Sequence, residues 1–408
     1  MKDDKTNEIK DIKANNKGEK KEEETFDSKM DSFLYQLNEI NNILKKEDEE
    51  LNKKNLEKIE EEKKEKERIL QESIKKKSIM FLEKFAKNLE NSKINFINIG
   101  GSSCYQSSTF QGFVHVIYPT AIKNIISNIE QNKYKTINNI DELKNDNEFN
   151  RMFIDILKDI NNLQEKGEGS NGYLAKDIFN KYPPKLEFGE GIGNILDINI
   201  LHFNLEINSM NLLYLIETFK KSNISNSYNS NSIEVINIDR NTIITEVMKL
   251  KIEGNRQCCG NIVLKFDKND INDNNLDIIK LLKKCKQLYI DGNSTKKIEL
   301  ISDIIYLVID RLSDKESSKK EININEYIYF NEEKGNFDSI RGNKDLTYEP
   351  KFIIYHLGYH YIAYCKIENK WYYFNDMSSS FASESNPPLK GEKGSNTYPV
   401  AIYYVKKK

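Results

Sequence analysis

The chain has 408 residues, enough for one large domain with an appendage or for two to three domains. Its 62 Lys and Arg nearly balance 64 Asp and Glu, for a net charge of -2, so bulk charge gives no basis for a nucleic-acid or membrane-surface partner. The five cysteines (Cys104, Cys258, Cys259, Cys285 and Cys365) are too sparse for a disulfide framework and fit a reducing compartment. The opening stretch "MKDDKTNEIKDIKANNKGEK" lacks the apolar core of a secretory signal, and no apolar run is long enough to span a bilayer. The expectation is a soluble intracellular protein, cytoplasmic and/or nuclear.

In chain order, residues 1–30 are almost wholly polar and charged, which predicts disorder. Residues 31–91 read as a charged helix or short coiled coil. Leu37, Leu44 and Leu51 recur every seven residues, with Phe33, Ile40 and Ile43 on the same side, before the pattern decays into "EKIEEEKKEKER". Apolar residues return at Ile69, Leu70, Ile74, Ile79, Leu82, Phe85 and Leu89. From about residue 92 the texture changes, with a short apolar run "INFINIG" and then helical spacing at Tyr105, Phe110, Phe113, Val114 and Ile117. Further helix is predicted in "AIKNIISNIEQ", "DELKNDNEFNRMFIDILKDINNL" and "YLAKDIFNKY". After about residue 190 the pattern turns to strands, among them "GNIVLKF", "IELISDIIYLVIDRL", "EYIYF", "KFIIYHL", "HYIAYCKI", "KWYYFND" and "YPVAIYYVK". A helical first part and a sheet-rich second part give an α+β domain over 92–408.

The chemistry concentrates at the two ends of that domain. In "GGSSCYQSSTF", two glycines permit a tight turn and Cys104 opens a helix, where the backbone dipole favours a thiolate. Far downstream, His360 begins one strand and Asn375 ends the next, with a turn at "IENK" between them. That hairpin sets an imidazole beside an amide oxygen able to hold it in one tautomer. An imidazole so held can take a proton from a thiol and return one to a leaving amine. Taken singly, Cys104 is a buried helix residue, His360 a hydrogen-bonded strand residue and Asn375 a turn residue. Their joint occurrence in the order Cys, His, Asn favours chemistry. Papain-type enzymes share the order, but their Cys-to-His separation of roughly 130–150 residues is far shorter than the one here. "GEGIG" lacks the Lys-Ser/Thr of a phosphate loop and reads as an ordinary loop. His115, on the helix after Cys104, is expected to face away from the sulfur.

With these residues in view, the chain resembles the ubiquitin-specific proteases. Their cysteine box is matched at Gly101, Cys104, Tyr105, Ser108 and Gln111, with Phe110 for a leucine. Their histidine box is matched at His356-Leu357-Gly358, His360-Tyr361-Ile362-Ala363-Tyr364 and Trp371-Tyr372-Tyr373-Phe374-Asn375-Asp376, followed by a final strand "YPVAIYYV". The resemblance runs over about 94–408, strong at the ends and faint between about 120 and 295. It implies a papain-like thumb–palm–fingers fold, with a helical thumb at about 92–190 and a sheet-rich palm and fingers at about 191–408. It implies Cys104 as nucleophile, His360 as general base and acid, Asn375 as the group orienting it, and Asp376 in support. Ser102 stands where the family has an asparagine that donates to the oxyanion. The implied reaction is hydrolysis of the isopeptide or peptide bond after the C-terminal glycine of ubiquitin, and the implied partner is ubiquitin or a ubiquitinated protein. A protein partner for the 31–91 helix is compatible with this. The alternative is a weak or inactive ubiquitin-binding scaffold, consistent with Ser102 and with the absence of the family's Gln-Gln-Asp-Ala-x-Glu-Phe helix. Adjacent Cys258 and Cys259 with a solitary Cys285 make a poor tetrahedral set, so no metal and no cofactor are expected.

Overall fold

Neither glycine nor proline interrupts the chain between Gly18 and Gly100, and the result is one long helix, α1 (Phe26–Asn91). The computed structural model describes residues 26–97, 104–144, 148–169, 250–252, 258–259, 262–285, 289–290, 294–295, 298–310, 320–357, 360–377, 380–388 and 397–407. The chain divides into two units, Met1–Glu72 and Ser73–Lys408.

In the first unit α1 is solvent-exposed from residue 28 onward, including Leu37, Leu44 and Leu51 of the heptad pattern. Where apolar residues are few, charge pairs at helical spacing take over. Glu60–Lys64 lie 2.9 Å apart, and Arg68 reaches both Glu65 and Glu72 at 2.8 Å. The helix starts at Phe26, inside the stretch expected to be disordered, while 1–25 lie outside the described residues. It ends at Asn91, where the charged helix was expected to end, but it is shared between the two units. From Ser73 it belongs to the second unit, where Leu82, Phe85, Ala86 and Leu89 are buried in its core. The sequence hides this, because apolar residues recur along the helix but only those of its last turns are buried.

The second unit is a mixed helix and sheet structure. Its helices are α2 (Cys104–Gly112), which passes through a π-helical turn (Phe113–Ile117) into α3 (Tyr118–Glu130), and α4 (Glu148–Lys166). After it come the strands β1 (Leu250–Ile252), β2 (Cys258–Cys259) and β3 (Ile262–Lys265), then short helices α5 (Lys268–Asn272) and α6 (Ile278–Lys283). The remaining strands are β4 (Tyr289–Ile290), β5 (Ser294–Thr295), β6 (Ile298–Ile301), β7 (Ile304–Asp310), β8 (Ile328–Asn331), β9 (Asn336–Asp338), β10 (Leu346–Leu357), β11 (His360–Ile367), β12 (Lys370–Phe374), β13 (Ser383–Glu384) and β14 (Thr397–Lys406). The helices α5 and α6 fall in the part expected to be sheet. Helices of five and six residues leave too little periodicity to register, although Asp277 caps α6 by accepting from the Lys280 N–H at 2.7 Å. The expected elements in 170–249, including "YLAKDIFNKY" and the loop "GEGIG", lie outside the described residues.

The main sheet runs β13-β12-β11-β10-β14-β7-β3, with β8 and β9 joined to β10. All its pairings are antiparallel except β3 with β7. Strand alternation sorts its residues onto two faces. Tyr306, Phe352, Ile354, Tyr361, Ala363 and Tyr403 meet α1, α2, α3 and α4 on one face. Leu307, Ile353, Tyr355, Ile362, Tyr364 and Ile402 meet α6, β8 and β9 on the other. Two small sheets, β2-β1-β6 and β4-β5, complete the described strands. Cys258 and Cys259 form β2, and their side chains lie outside the described residues. Cys285 is buried in the core beneath α6. No helix among the described residues is long and apolar enough to cross a membrane.

Candidate active site

The hairpin β11–β12 fixes one half of the site. Ile367 pairs with Lys370, so the connection has two residues, Glu368 and Asn369, both with positive φ (48° and 66°). This is the turn whose twist matches that of paired strands, and asparagine tolerates its left-handed backbone. The register pairs Ala363 with Phe374. Carried past the end of β12, it puts Asn375 diagonal to His360 on the same face of the hairpin.

The side chains meet there. His360 Nε2 lies 2.9 Å from Asn375 Oδ1. An amide oxygen only accepts, so the proton sits on Nε2 and Nδ1 is the basic nitrogen. The amide is itself oriented, because Oδ1 also accepts from the Met377 N–H at 3.0 Å and Nδ2 donates to the Tyr373 hydroxyl at 2.8 Å. Burial raises the Tyr373 phenol, as does the nearby Asp376 carboxylate, while its bond to Asn375 opposes the shift, so the hydroxyl stays protonated. Asp376 is buried, with Oδ1 3.6 Å from His360 Nε2.

The other half is α2. Cys104 is its first residue, where the helix dipole concentrates positive potential. It is 6% exposed and shares a core cluster with Tyr361 and Ala363 of β11, the strand on which α2 packs. By contrast, burial pushes the thiol of Cys365, in mid-β11, up to about 12, which leaves it inert. Ser102 lies outside the described residues.

Around the site, Asn95 escaped the sequence reading, as did the contacts of Gln111 and His115. Asn95 Nδ2 donates to the Asn375 carbonyl at 2.6 Å. Gln111, on α2, donates from Nε2 to Asn95 Oδ1 at 3.4 Å and to the Ile94 carbonyl at 3.3 Å. His115 Nε2 lies 3.0 Å from Gln111 Oε1, and its ring packs 4.9 Å from that of Phe374, so it turns inward toward β12. Burial lowers the His115 imidazole to about 3, leaving it neutral. The four-residue spacing of Gln111 and His115 was the available signal. Asn95 gave none in a chain so rich in asparagine.

No family model matches the chain, and no curated protein matches it. Among solved structures it is similar to the SAGA DUB module of Ubp8, Sgf11, Sus1 and Sgf73 bound to monoubiquitin, at 16% identity and a TM-score of 0.42, over 79% of this chain and 70% of that one. A yeast SAGA DUB module with a mutant Sgf73 gives 16% identity and a TM-score of 0.43 over the same shares of 79% and 70%. The module bound to ubiquitin aldehyde gives 17% and 0.41, over 79% and 71%.

Proposed function

We propose that the chain is a thiol-dependent hydrolase of the ubiquitin-specific protease type, cutting the bond after the C-terminal glycine of ubiquitin. The supporting observation is the 2.9 Å bond from His360 Nε2 to Asn375 Oδ1 on the hairpin that packs against the helix opened by Cys104. In this reading the helices α2 to α4 are the thumb, the main sheet the palm, and the two small sheets part of the fingers. His360 Nδ1 takes the Cys104 proton, and the thiolate attacks the carbonyl carbon of the glycine. The tetrahedral oxyanion is met by backbone N–H groups at the start of α2 and by Ser102. Its collapse expels the lysine amine, which receives the proton from the imidazolium. Water, with His360 now acting as base, then releases ubiquitin from the thioester. Asn375 keeps the ring in one tautomer throughout, and Asp376 stabilises its charged form.

The test uses the full chain and ubiquitin carrying a C-terminal electrophile. The wild type forms a covalent adduct, and Cys104→Ala forms none while still binding ubiquitin, since the variant leaves any distant ubiquitin surface intact. Binding without an adduct in the wild type would overturn the reading.

One sequence feature favours a second reading, a ubiquitin-binding scaffold with little turnover. Ser102 replaces an asparagine donor, and losing one oxyanion donor costs about 2.7–4 kcal/mol in other proteases. Ser102→Asn separates the two. An enzyme limited at the oxyanion gains about tenfold in kcat with unchanged ubiquitin affinity, because the added donor acts on charge present only in the transition state. A scaffold gains nothing.

A further inference from the structure

Three buried polar side chains, Asn95, Gln111 and His115, join the two halves of the site through hydrogen bonds that run in one direction. Neutral His115 donates from Nε2 to Gln111 Oε1 at 3.0 Å. Gln111 donates to Asn95 Oδ1 at 3.4 Å, and Asn95 donates to the Asn375 carbonyl at 2.6 Å. Gln111 lies two turns beyond Cys104 on the same helix. Asn375 follows directly on β12 and holds His360. The chain therefore links the nucleophile's helix to the imidazole's partner.

The backbone reinforces the same junction. The Asn95 N–H donates to the Ser380 carbonyl at 2.9 Å, the Ala382 N–H to the Lys93 carbonyl at 2.7 Å, and Ile94 pairs with Phe381 as a β-bridge. Residues 93–95 thus clasp the segment after Asn375 from its far end, while the Asn95 side chain grips its beginning. Apolar side chains would fill this space without the demand that each polar atom find a partner. What the polar set adds is direction. It fixes the plane of the peptide after Asn375, and with it the bearings of Asn375 and Asp376.

We propose that Asn95, backed by Gln111 and His115, is a positioning residue that holds Asn375, and through it His360, in register with Cys104. The proposal rests on the hydrolase reading for its effect on rate, but not for its effect on the imidazole. With Asn375 no longer gripped, the Nε2–H bond loosens and the ring samples both tautomers.

The test compares Asn95→Leu, which keeps volume and removes the donor, with wild type in the full chain. In nitrogen NMR at a pH where the ring is neutral, assigned with His360→Gln, the two His360 nitrogen shifts of the variant move toward each other. On a ubiquitin-amide substrate kcat falls about tenfold while KM stays within about twofold, the pattern of misalignment rather than lost binding. Gln111→Met gives the same pattern more weakly and serves if Asn95→Leu fails to fold. Unchanged His360 shifts in a folded variant would overturn the proposal. So would a kcat that falls only in proportion to the folded fraction. A wild type that shows no turnover refutes the hydrolase reading alone, since the NMR comparison still decides the positioning role.

Discussion

A histidine buried in its neutral form ties stability to acid. The His115 imidazole sits at about 3 in the fold against an ordinary 6.5, because burial penalises its charged form. Between those values the unfolded chain binds a proton that the folded chain refuses, so stability rises with pH across the window and is lost as pH falls from about 6.5 toward 3. Asp141, held at about 2 by Lys158 and Lys144, adds its own loss only below its ordinary value of 3.8. His115→Gln keeps a donor for Gln111 and removes the titrating ring. Denaturant unfolding between pH 4.5 and 6.5 is expected to show a slope shallower by up to about 1.4 kcal/mol per pH unit than wild type. An unchanged slope would mean that the ring already accepts a proton in the fold. The sequence could single out Cys104, His360 and Asn375 because each is a chemically distinctive type at a recognisable strand or helix end. It could not find Asn95, which meets Asn375 across 280 residues of chain. Nor could it orient His115, whose direction depends on the π-helical turn in which it sits.

At the scale of elements, the fit of α2 to the sheet turns on Gly112, the last residue of that helix. A Cβ there would lie 3.1 Å from both Phe352 Cε1 and Tyr403 Cε2. Neither ring has room to yield. Both are fully buried and packed edge to face, and Tyr403 is stacked on Tyr306 with centroids 4.5 Å apart. Alanine's helix propensity would favour the substitution by about 1 kcal/mol. Overpacking a tight core costs about 1–3 kcal/mol, so Gly112→Ala is expected to lower stability by up to about 2 kcal/mol net. Chemical denaturation checks this, and a stabilised variant would show that the rings can shift. The strands β10, β11, β12 and β14 were legible because aromatic and β-branched residues dominate them and turn residues bound them. Their two-faced alternation was harder to see, since both faces are buried and the sequence reads as a continuous apolar run. The helical reading of "AIKNIISNIEQ" matches α3, whose isoleucines recur on one buried face.

For the whole molecule, the division after Glu72 makes a prediction that a boundary at residue 92 does not. Up to that point the described part of α1 is exposed, and its charge pairs at helical spacing are screened by solvent and contribute little. Beyond it, Ser78 is buried and exchanges hydrogen bonds with the backbone of Ile137, accepting from its N–H at 2.8 Å and donating to its carbonyl at 2.6 Å. Leu82, Phe85, Ala86 and Leu89 then close the core over the sheet. Burying the three large side chains among these is worth about 1.5–3 kcal/mol each, together comparable to the net stability of about 5–15 kcal/mol of an ordinary domain. A chain of residues 73–408 is therefore expected to unfold at the same denaturant midpoint as the full chain and to react with a ubiquitin electrophile to the same extent. A chain of residues 92–408 is expected to be insoluble or to lose its cooperative transition. If both truncations folded alike, the last turns of α1 would be dispensable to the core. If both failed, the exposed helix would be holding the second unit together through contacts that its exposure gives no reason to expect.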